Sequence, residues 1–279
     1  MPRPRLSAAQ AALAAMTARL TDRDFQIIDH LARFKVMTTP QLAAVHFPSA
    51  NAAKLRLRAL TELGILARTR QPNSGRHRYT LDWAGQAVHA LRTGTRPPSQ
   101  AEAAWEVQRR FLSPTRAHDE GAVEAVAALH LACRQHGGAQ LTEWLSETEA
   151  AWEFQGLRPD AAFTLTAADG RSLMAWYEHD TGTETLERLA AKITAYTERR
   201  SPLLPYTRRL LIGCATTARV RALTDRVTDT ANLTVAAALH QGLPPVSQAA
   251  PDTTGLLTAP SWHRLGFAGR ACSLLDLTH

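Results

Sequence analysis

Ser49-Ala-Asn-Ala-Ala-Lys-Leu-Arg-Leu-Arg-Ala-Leu-Thr-Glu-Leu-Gly64, running directly into Ile65-Leu-Ala-Arg-Thr-Arg70, is the stretch whose reading decides the front of this chain. Ser49 suits a helix N-cap and Gly64 a C-terminal stop. Between them Leu57, Leu60 and Leu63 recur at helical spacing, so residues 49–63 read as a helix with one apolar face. Asn51, Lys54 and Arg58 fall at i, i+3 and i+7 on the opposite face. After Gly64 that period is lost. Residues 65–70 read as a short strand, Gln71-Pro-Asn-Ser-Gly75 as a turn, and Arg76-His-Arg-Tyr-Thr-Leu81 as the returning strand of a hairpin.

Two further helices precede this stretch. Thr21-Asp-Arg-Asp24 supplies an N-cap and first-turn acids for a helix carrying Phe25, Ile28, Leu31 and Phe34. Thr38-Thr-Pro-Gln41 opens the next, with Pro near its first position and Leu42, Val45 and Phe47 beyond. Trp83–Leu91 then closes the module as a helix after the hairpin. Three helices and a basic hairpin follow the winged helix-turn-helix plan, here expected over residues 21–93. In that plan the third helix enters the major groove and the wing lies along the phosphates. Asn pairs with adenine and Arg with guanine through two hydrogen bonds. Asn51, Lys54 and Arg58, with Arg56 beside them, are therefore the DNA-reading candidates. Arg68, Arg70, Arg76, His77 and Arg78 are the phosphate candidates. The alternative use of such a module is protein interaction or dimerisation.

Charge is distributed to match. The 279-residue chain has 32 Lys and Arg against 25 Asp and Glu, a net +7. Residues 1–98 hold 15 basic and 5 acidic side chains, and the remainder 17 basic and 20 acidic. A basic front at +10 and a rear at −3 imply one module that meets a polyanion, expected to be double-stranded DNA, and another with a different task. Only Lys35, Lys54 and Lys192 are lysines. No run approaches the roughly 18 apolar residues of a membrane span. The start, Met1-Pro-Arg-Pro-Arg5, lacks a secretion-signal core, so a cytoplasmic protein without membrane contact is expected. Cys133, Cys214 and Cys272 show neither a disulfide framework nor metal spacing.

Arg92-Thr-Gly-Thr-Arg-Pro-Pro-Ser99 is rich in turn formers, and residues 94–115 read as a linker that contains a short helix from Ala101 to Phe111. A second domain is expected over residues 116–240. Its elements are a helix at 118–136, strands at 140–146, 161–166 and 172–177, a helix at 185–199, a strand at 209–213, a helix at 218–230 and a strand at 233–239. This order describes an α/β sheet with helices on both faces, and the whole chain is expected to be α+β. Residues 1–20 and 241–279 read as tails, the latter ending in one short docking element.

The informative residues lie where these strands end. Arg158-Pro-Asp160 opens one strand of a hairpin and Glu178-His-Asp180 closes the other, which places Asp160 and Glu178 within reach of one divalent ion. Asp180 shares the face of Glu178 because side chains alternate with period two. Carboxylate clusters suit Mg²⁺ or Mn²⁺, which polarise a phosphodiester and activate a water. Lys192, on the following helix, is placed to stabilise transition-state charge. The arrangement resembles the PD-(D/E)XK (restriction-endonuclease-like) fold, whose signature is Pro-Asp, a gap, then acid-x-Lys. Pro159-Asp160 and Glu178 match. Asp180 stands in the lysine's place, and Lys192 is the substitute.

A wider resemblance spans roughly residues 20–240. Thr21-Asp-Arg-Asp-Phe25, the stretch His118 to Glu124, Trp144-Leu-Ser-Glu147, Leu157-Arg-Pro-Asp160, Tyr177-Glu-His-Asp-Thr-Gly-Thr-Glu184 and Leu189-Ala-Ala-Lys-Ile-Thr-Ala-Tyr196 together resemble the replication-relaxation family of bacterial plasmids and mobile elements, typical of actinobacteria. That resemblance implies DNA binding in replication or mobilisation, with nicking or relaxation as the associated chemistry. It implies further that Glu124 is the helix acid beside the metal, completing a set with Asp160, Glu178 and Asp180. Catalysis would then fall to Asp160, Glu178 and Lys192. Partners implied are DNA, other replication or conjugation proteins, and a second copy of the chain. The alternative is a non-catalytic DNA-binding regulator or replication accessory protein whose nuclease-like domain serves dimerisation or partner binding. Each residue also has a plainer reading. Asp160 can cap a turn, Lys192 can pair with Glu187, Tyr196 lies on its helix's apolar stripe, and His118 fits a structural helix start.

Overall fold

The computed structural model describes residues 15–71, 76–153, 156–198, 208–230, 233–240, 243, 252–267 and 270–278. The chain divides into two compact units, one within the front of the chain up to residue 116 and one from residue 117 onward.

In the front unit, α1 (Asp22–Phe34) starts at a capping box. The Thr21 amide donates to Asp24 Oδ2 at 2.7 Å, and the Asp24 amide returns to Thr21 Oγ1 at 3.4 Å. Ile27, Ile28, Leu31 and Phe34 are buried. β1 (Met37–Thr38) leads into α2 (Thr39–His46) with Pro40 in its first turn. α3 (Ala50–Glu62) is capped by Ser49, whose Oγ accepts the Ala52 amide, and it buries Ala53, Leu57 and Leu60. Gly64 ends it with φ of 69°, a conformation open to glycine at little cost. β2 (Leu66–Arg70) and β3 (His77–Leu81) pair antiparallel, and β1 adds to the far side of β3. Pro72 to Gly75, where a turn is expected, lie outside the described residues.

α4 (Trp83–Arg92) and α5 (Gln100–Phe111) complete this unit. Residues 94–115 thus depart from the expected linker. Ser99 and Glu102 form a second capping box, and α5 buries Ala103. Trp83 Nε1 donates to the Pro98 carbonyl at 3.1 Å and Gln86 Nε2 to the Ala103 carbonyl at 3.3 Å. These contacts fasten α5 to the front unit, a packing that the Pro-rich composition of the segment does not reveal.

The rear unit contains α6 (Arg116–His136, all but its first residue), β4 (Ala139–Ser146), one helical turn at Glu147–Ala150, β5 (Ala161–Ala167), β6 (Ser172–Asp180), α7 (Leu186–Glu198), β7 (Arg209–Cys214), α8 (Thr217–Arg226), β8 (Val235–Leu239) and β9 (His263–Arg264). The strands lie in the order β4-β5-β6-β7-β8-β9. β4, β5 and β6 are antiparallel, β6, β7 and β8 parallel, and β9 antiparallel to β8. On one face Leu189, Ile193 and Tyr196 of α7 and Val220 and Leu223 of α8 share a core with Trp176, Leu210, Ile212 and Ala237. α6 covers the other face. There Val126 and Leu129 line a small cavity together with Phe163, Tyr177 and Leu211. Gly121 lies so close to β6 that a Cβ there would sit 2.1 Å from His179 Nε2. The α+β class follows from the two sheets and their helices.

Residues 252–278, expected as a tail, belong to the rear unit. Leu257, Leu265, Leu274 and Leu277 are buried, and His263 and Arg264 pair with Ala237 and Ala236. Four well-spaced leucines offer no single period, so neither the strand nor its burial is evident from the pattern. α8 also ends earlier than expected, at Arg226, and the last expected strand starts at Val235 rather than Leu233.

Candidate functional site

The front unit carries exposed basic residues on α3 and on β2. Asn51, Lys54 and Arg58 are exposed, as are Arg68 and Arg70. Lys54, Arg68 and Arg70 have no acidic partner among the described residues. Arg58 forms an i,i+4 pair with Glu62, Nε to Oε1 at 2.8 Å, with both side chains more than 60% exposed. Such a pair is weak and competes poorly with a polyanion.

Two of the expected DNA contacts are corrected. Arg56 turns inward, its Nε donating to Asp24 Oδ1 at 2.9 Å and its Nη2 to Oδ2, while Asp24 is wholly buried. It lies one helical turn before Leu60 and three residues after Ala53, on the edge of the buried stripe, and that spacing is the signal that marks it as structural. Burial opposes ionisation of Asp24, but hydrogen bonds from Arg56 and Thr21 outweigh it and hold the carboxyl below its ordinary value. Arg78 is buried in the central strand β3, between Thr38 of β1 and Thr69 of β2, and so leaves the surface set. Arg76 is partly buried.

The rear unit gathers its polar residues at one end of the β5-β6 hairpin. Ala161 pairs with Tyr177, which sets Asp160 across from Glu178. Asp160 Oδ2 accepts the His179 amide at 2.7 Å, and Oδ1 meets His118 Nε2 of α6 at 2.9 Å. Glu178 is buried. Lys192 Nζ donates to its Oε2 and the Tyr196 hydroxyl to its Oε1, both at 2.5 Å. Lys192 and Tyr196 are i,i+4 on α7 and so reach the same carboxylate from one helix face. Tyr196 thus fills the core with its ring and the polar cluster with its hydroxyl. The sequence alone put Tyr196 on an apolar stripe and offered Glu187 to Lys192; their i,i+4 spacing is the signal that points to a shared partner.

These contacts set the charges. Burial and the neighbouring Asp160 push Glu178 up to about 7, against the pull of Lys192 and Tyr196. Burial also works against ionisation of Asp160, but the hydrogen bond and charge of His118 hold it below the ordinary range. The hydrogen bond to Asp160 raises His118. Burial alone would lower Lys192, and Glu178 reverses that shift. Burial and the neighbouring His240 lower His179 to about 4.

The remaining expected ligands go elsewhere. Asp180, also buried, is held by Arg219 of α8, Nε to Oδ2 at 2.5 Å and Nη2 to Oδ1 at 2.9 Å, and its Oδ1 also accepts the Gly182 amide. Glu124 Oε1 accepts the Leu243 amide at 2.7 Å. The structure therefore unites Asp160, Glu178 and Lys192, adds His118 and Tyr196, and leaves Asp180 and Glu124 out of the cluster. Among the described residues no three His, Cys, Asp or Glu side chains stand together as a metal-holding group. The expected set of four carboxylates does not fit a divalent ion in this arrangement. Each oxygen of Asp160, Glu178 and Asp180 already accepts a hydrogen bond or an ion-pair contact, Glu178 facing Lys192, Asp180 facing Arg219 and Asp160 the imidazole of His118. Arg219 was missed from the sequence because nothing local ties it to Asp180.

A unit with exposed cations joined to a mixed-sheet unit with a buried acid cluster makes this a two-unit α+β protein. The chain belongs to the replication-relaxation family, whose model matches residues 28–202. The match begins inside α1 and runs past Tyr196, so it takes in Asp160, Glu178 and Lys192 but not Arg219. Membership points to a role in replication or relaxation. Neither a curated protein nor a solved structure matches the chain. No helix among the described residues is long and apolar enough to cross a membrane.

Proposed function

We propose that this is a double-stranded-DNA-binding protein of plasmid or mobile-element replication, with the front unit acting as a winged helix on the duplex. The observation that carries this reading is the set of exposed cations in one unit, Lys54 on α3 and Arg68 and Arg70 on β2, that lack acidic partners among the described residues. Phosphates displace counterions from such groups, and affinity then falls steeply with salt. In this reading the rear unit is a PD-(D/E)XK-like body that contacts a partner or a second copy, with Trp152 and Phe267 exposed on it. The saturated acid cluster supports a structural use. The test is duplex binding by the full chain across a salt series, with Lys54→Ala, Arg68→Ala and Arg70→Ala beside it. Salt-independent affinity, or variants that bind like wild type, would refute the reading.

A second reading, Mg²⁺- or Mn²⁺-dependent nicking, is favoured by one observation, the convergence of Asp160, Glu178 and Lys192 at a strand edge. A metal there would have to take oxygens now held by His118 and Lys192, so the reading rests on that pair of acids alone. Incubation of supercoiled plasmid with either metal decides it. Open circles made by wild type and lost in Asp160→Ala and Glu178→Ala establish nicking, whereas intact plasmid throughout leaves the binding role.

A further inference from the structure

The exposed face of α3 contains one residue that charge does not explain. Leu55 is 64% exposed and sits among Asn51, Lys54 and Arg58, all exposed. It is four residues after Asn51 and three before Arg58, so it adjoins both on the exposed side of the helix and lies between them along the helix axis. The buried side of the same helix is already complete, with Ala53, Leu57 and Leu60 filling it. Leu55 therefore adds nothing to the core of its own unit. A single exposed leucine is ordinary on a protein surface, but this one stands where the cations around it would press a polyanion against it.

In the major groove the one apolar group on a base edge is the C5 methyl of thymine, and apolar side chains contact it. Asn51 and Arg58, on either side, have the donors and acceptors suited to adenine and guanine edges. We propose that Leu55 is a specificity-determining residue that reads a thymine methyl in duplex DNA, between bases read by Asn51 and Arg58. The proposal rests on the winged-helix reading of the front unit. It goes beyond that reading by assigning sequence discrimination to an apolar contact, where Arg68 and Arg70 give affinity without sequence information.

The test uses the full chain. A preferred duplex is selected from a random-sequence pool, and each thymine is then replaced singly by uracil, which lacks only the methyl. The expected result is one thymine per bound site whose replacement weakens wild-type binding about fourfold, the effect of one methyl group taken away from an apolar surface. Leu55→Ala should bind the thymine and uracil duplexes alike, with unchanged salt dependence and thermal stability, and Leu55→Met should restore part of the discrimination. Wild type that binds duplex DNA yet is indifferent to every uracil replacement overturns the role of Leu55 and leaves DNA binding intact. The same uracil penalty in Leu55→Ala also overturns it. No duplex binding by wild type overturns the winged-helix reading itself, and this proposal with it.

Discussion

The two units use cations in opposite ways. Lys54, Arg68 and Arg70 of the front unit point to solvent with no acidic partner among the described residues, whereas Lys192 and Arg219 of the rear unit each grip a buried carboxylate. Arg56 shows that the boundary is not drawn by unit, since this front-unit arginine behaves as a rear-unit one does. The difference teaches that a basic side chain must be located before it is given a role. A cation that neutralises a buried acid contributes to the fold, and its removal leaves an uncompensated charge. A solvated cation adds little to the fold and is available to a ligand.

The largest effect that would sharpen this contrast is expected at Arg219. Its side chain is 14% exposed and that of Asp180 only 3%, so Arg219→Ala leaves a buried carboxylate without its cation. The expected cost is about 3–5 kcal/mol of stability, read by denaturant unfolding of the full chain. A cost under about 1 kcal/mol would mean that water reaches Asp180 and that the pair is no lock.

Asp24→Ala comes next. It removes the N3 half of the capping box of α1 and the partner of Arg56, for about 2–3 kcal/mol, since Arg56 is partly solvated and the capping contact contributes about 1. The sign of its pH dependence follows from the depressed pKa. A carboxyl held below its ordinary 3.8 stabilises the fold at all pH values above 3.8 and loses that contribution as pH falls through the folded value. Thermal unfolding should therefore show a constant gap between wild type and Asp24→Asn through the neutral range and a narrowing gap in strong acid. A gap that widened in acid would contradict the assignment.

Smaller effects are expected on the solvated side. Lys54→Ala, Arg68→Ala and Arg70→Ala should each weaken duplex binding roughly fivefold to tenfold at low salt and reduce the salt slope by about 0.9 for each phosphate that is no longer neutralised. None should change the unfolding temperature, whereas Arg56→Ala should lower it. If Arg56→Ala instead acted like the other three, the inward placement of Arg56 would be wrong. The smallest effect belongs to Glu62→Ala, which frees Arg58. Fluorescence anisotropy should show duplex affinity unchanged or raised by roughly twofold, because an acid is taken from a basic face.

Much of this fold is legible in local pattern. The buried Ile28, Leu31 and Phe34 and the capping Thr21 announce α1, and Ser49 and Gly64 bracket α3 within a residue or two. The pairing of Asp160 with Glu178 follows from a hairpin with short connections. Residues 94–115 and 252–278 are harder, because their packing depends on Ala103 finding the front unit and on β9 finding β8, neither of which has a periodic signature. The candidate site divides along the same line. Asp160, Glu178 and Lys192 were nameable from the order of residues, while the exclusion of Asp180 and Glu124 was not.

Period, caps and composition within a few residues account for most of the helices and strands, the excess of positive charge at the front, and the acid pair on one hairpin. Which cation meets which acid is settled by long-range packing. Asp180 is claimed by an arginine 39 residues later, Asp24 by one 32 residues later, and Glu124 by an amide 119 residues later. Such partners are chosen by where the sheet and helices return the chain, and by the high free-energy cost of leaving a buried charge or polar group unmatched.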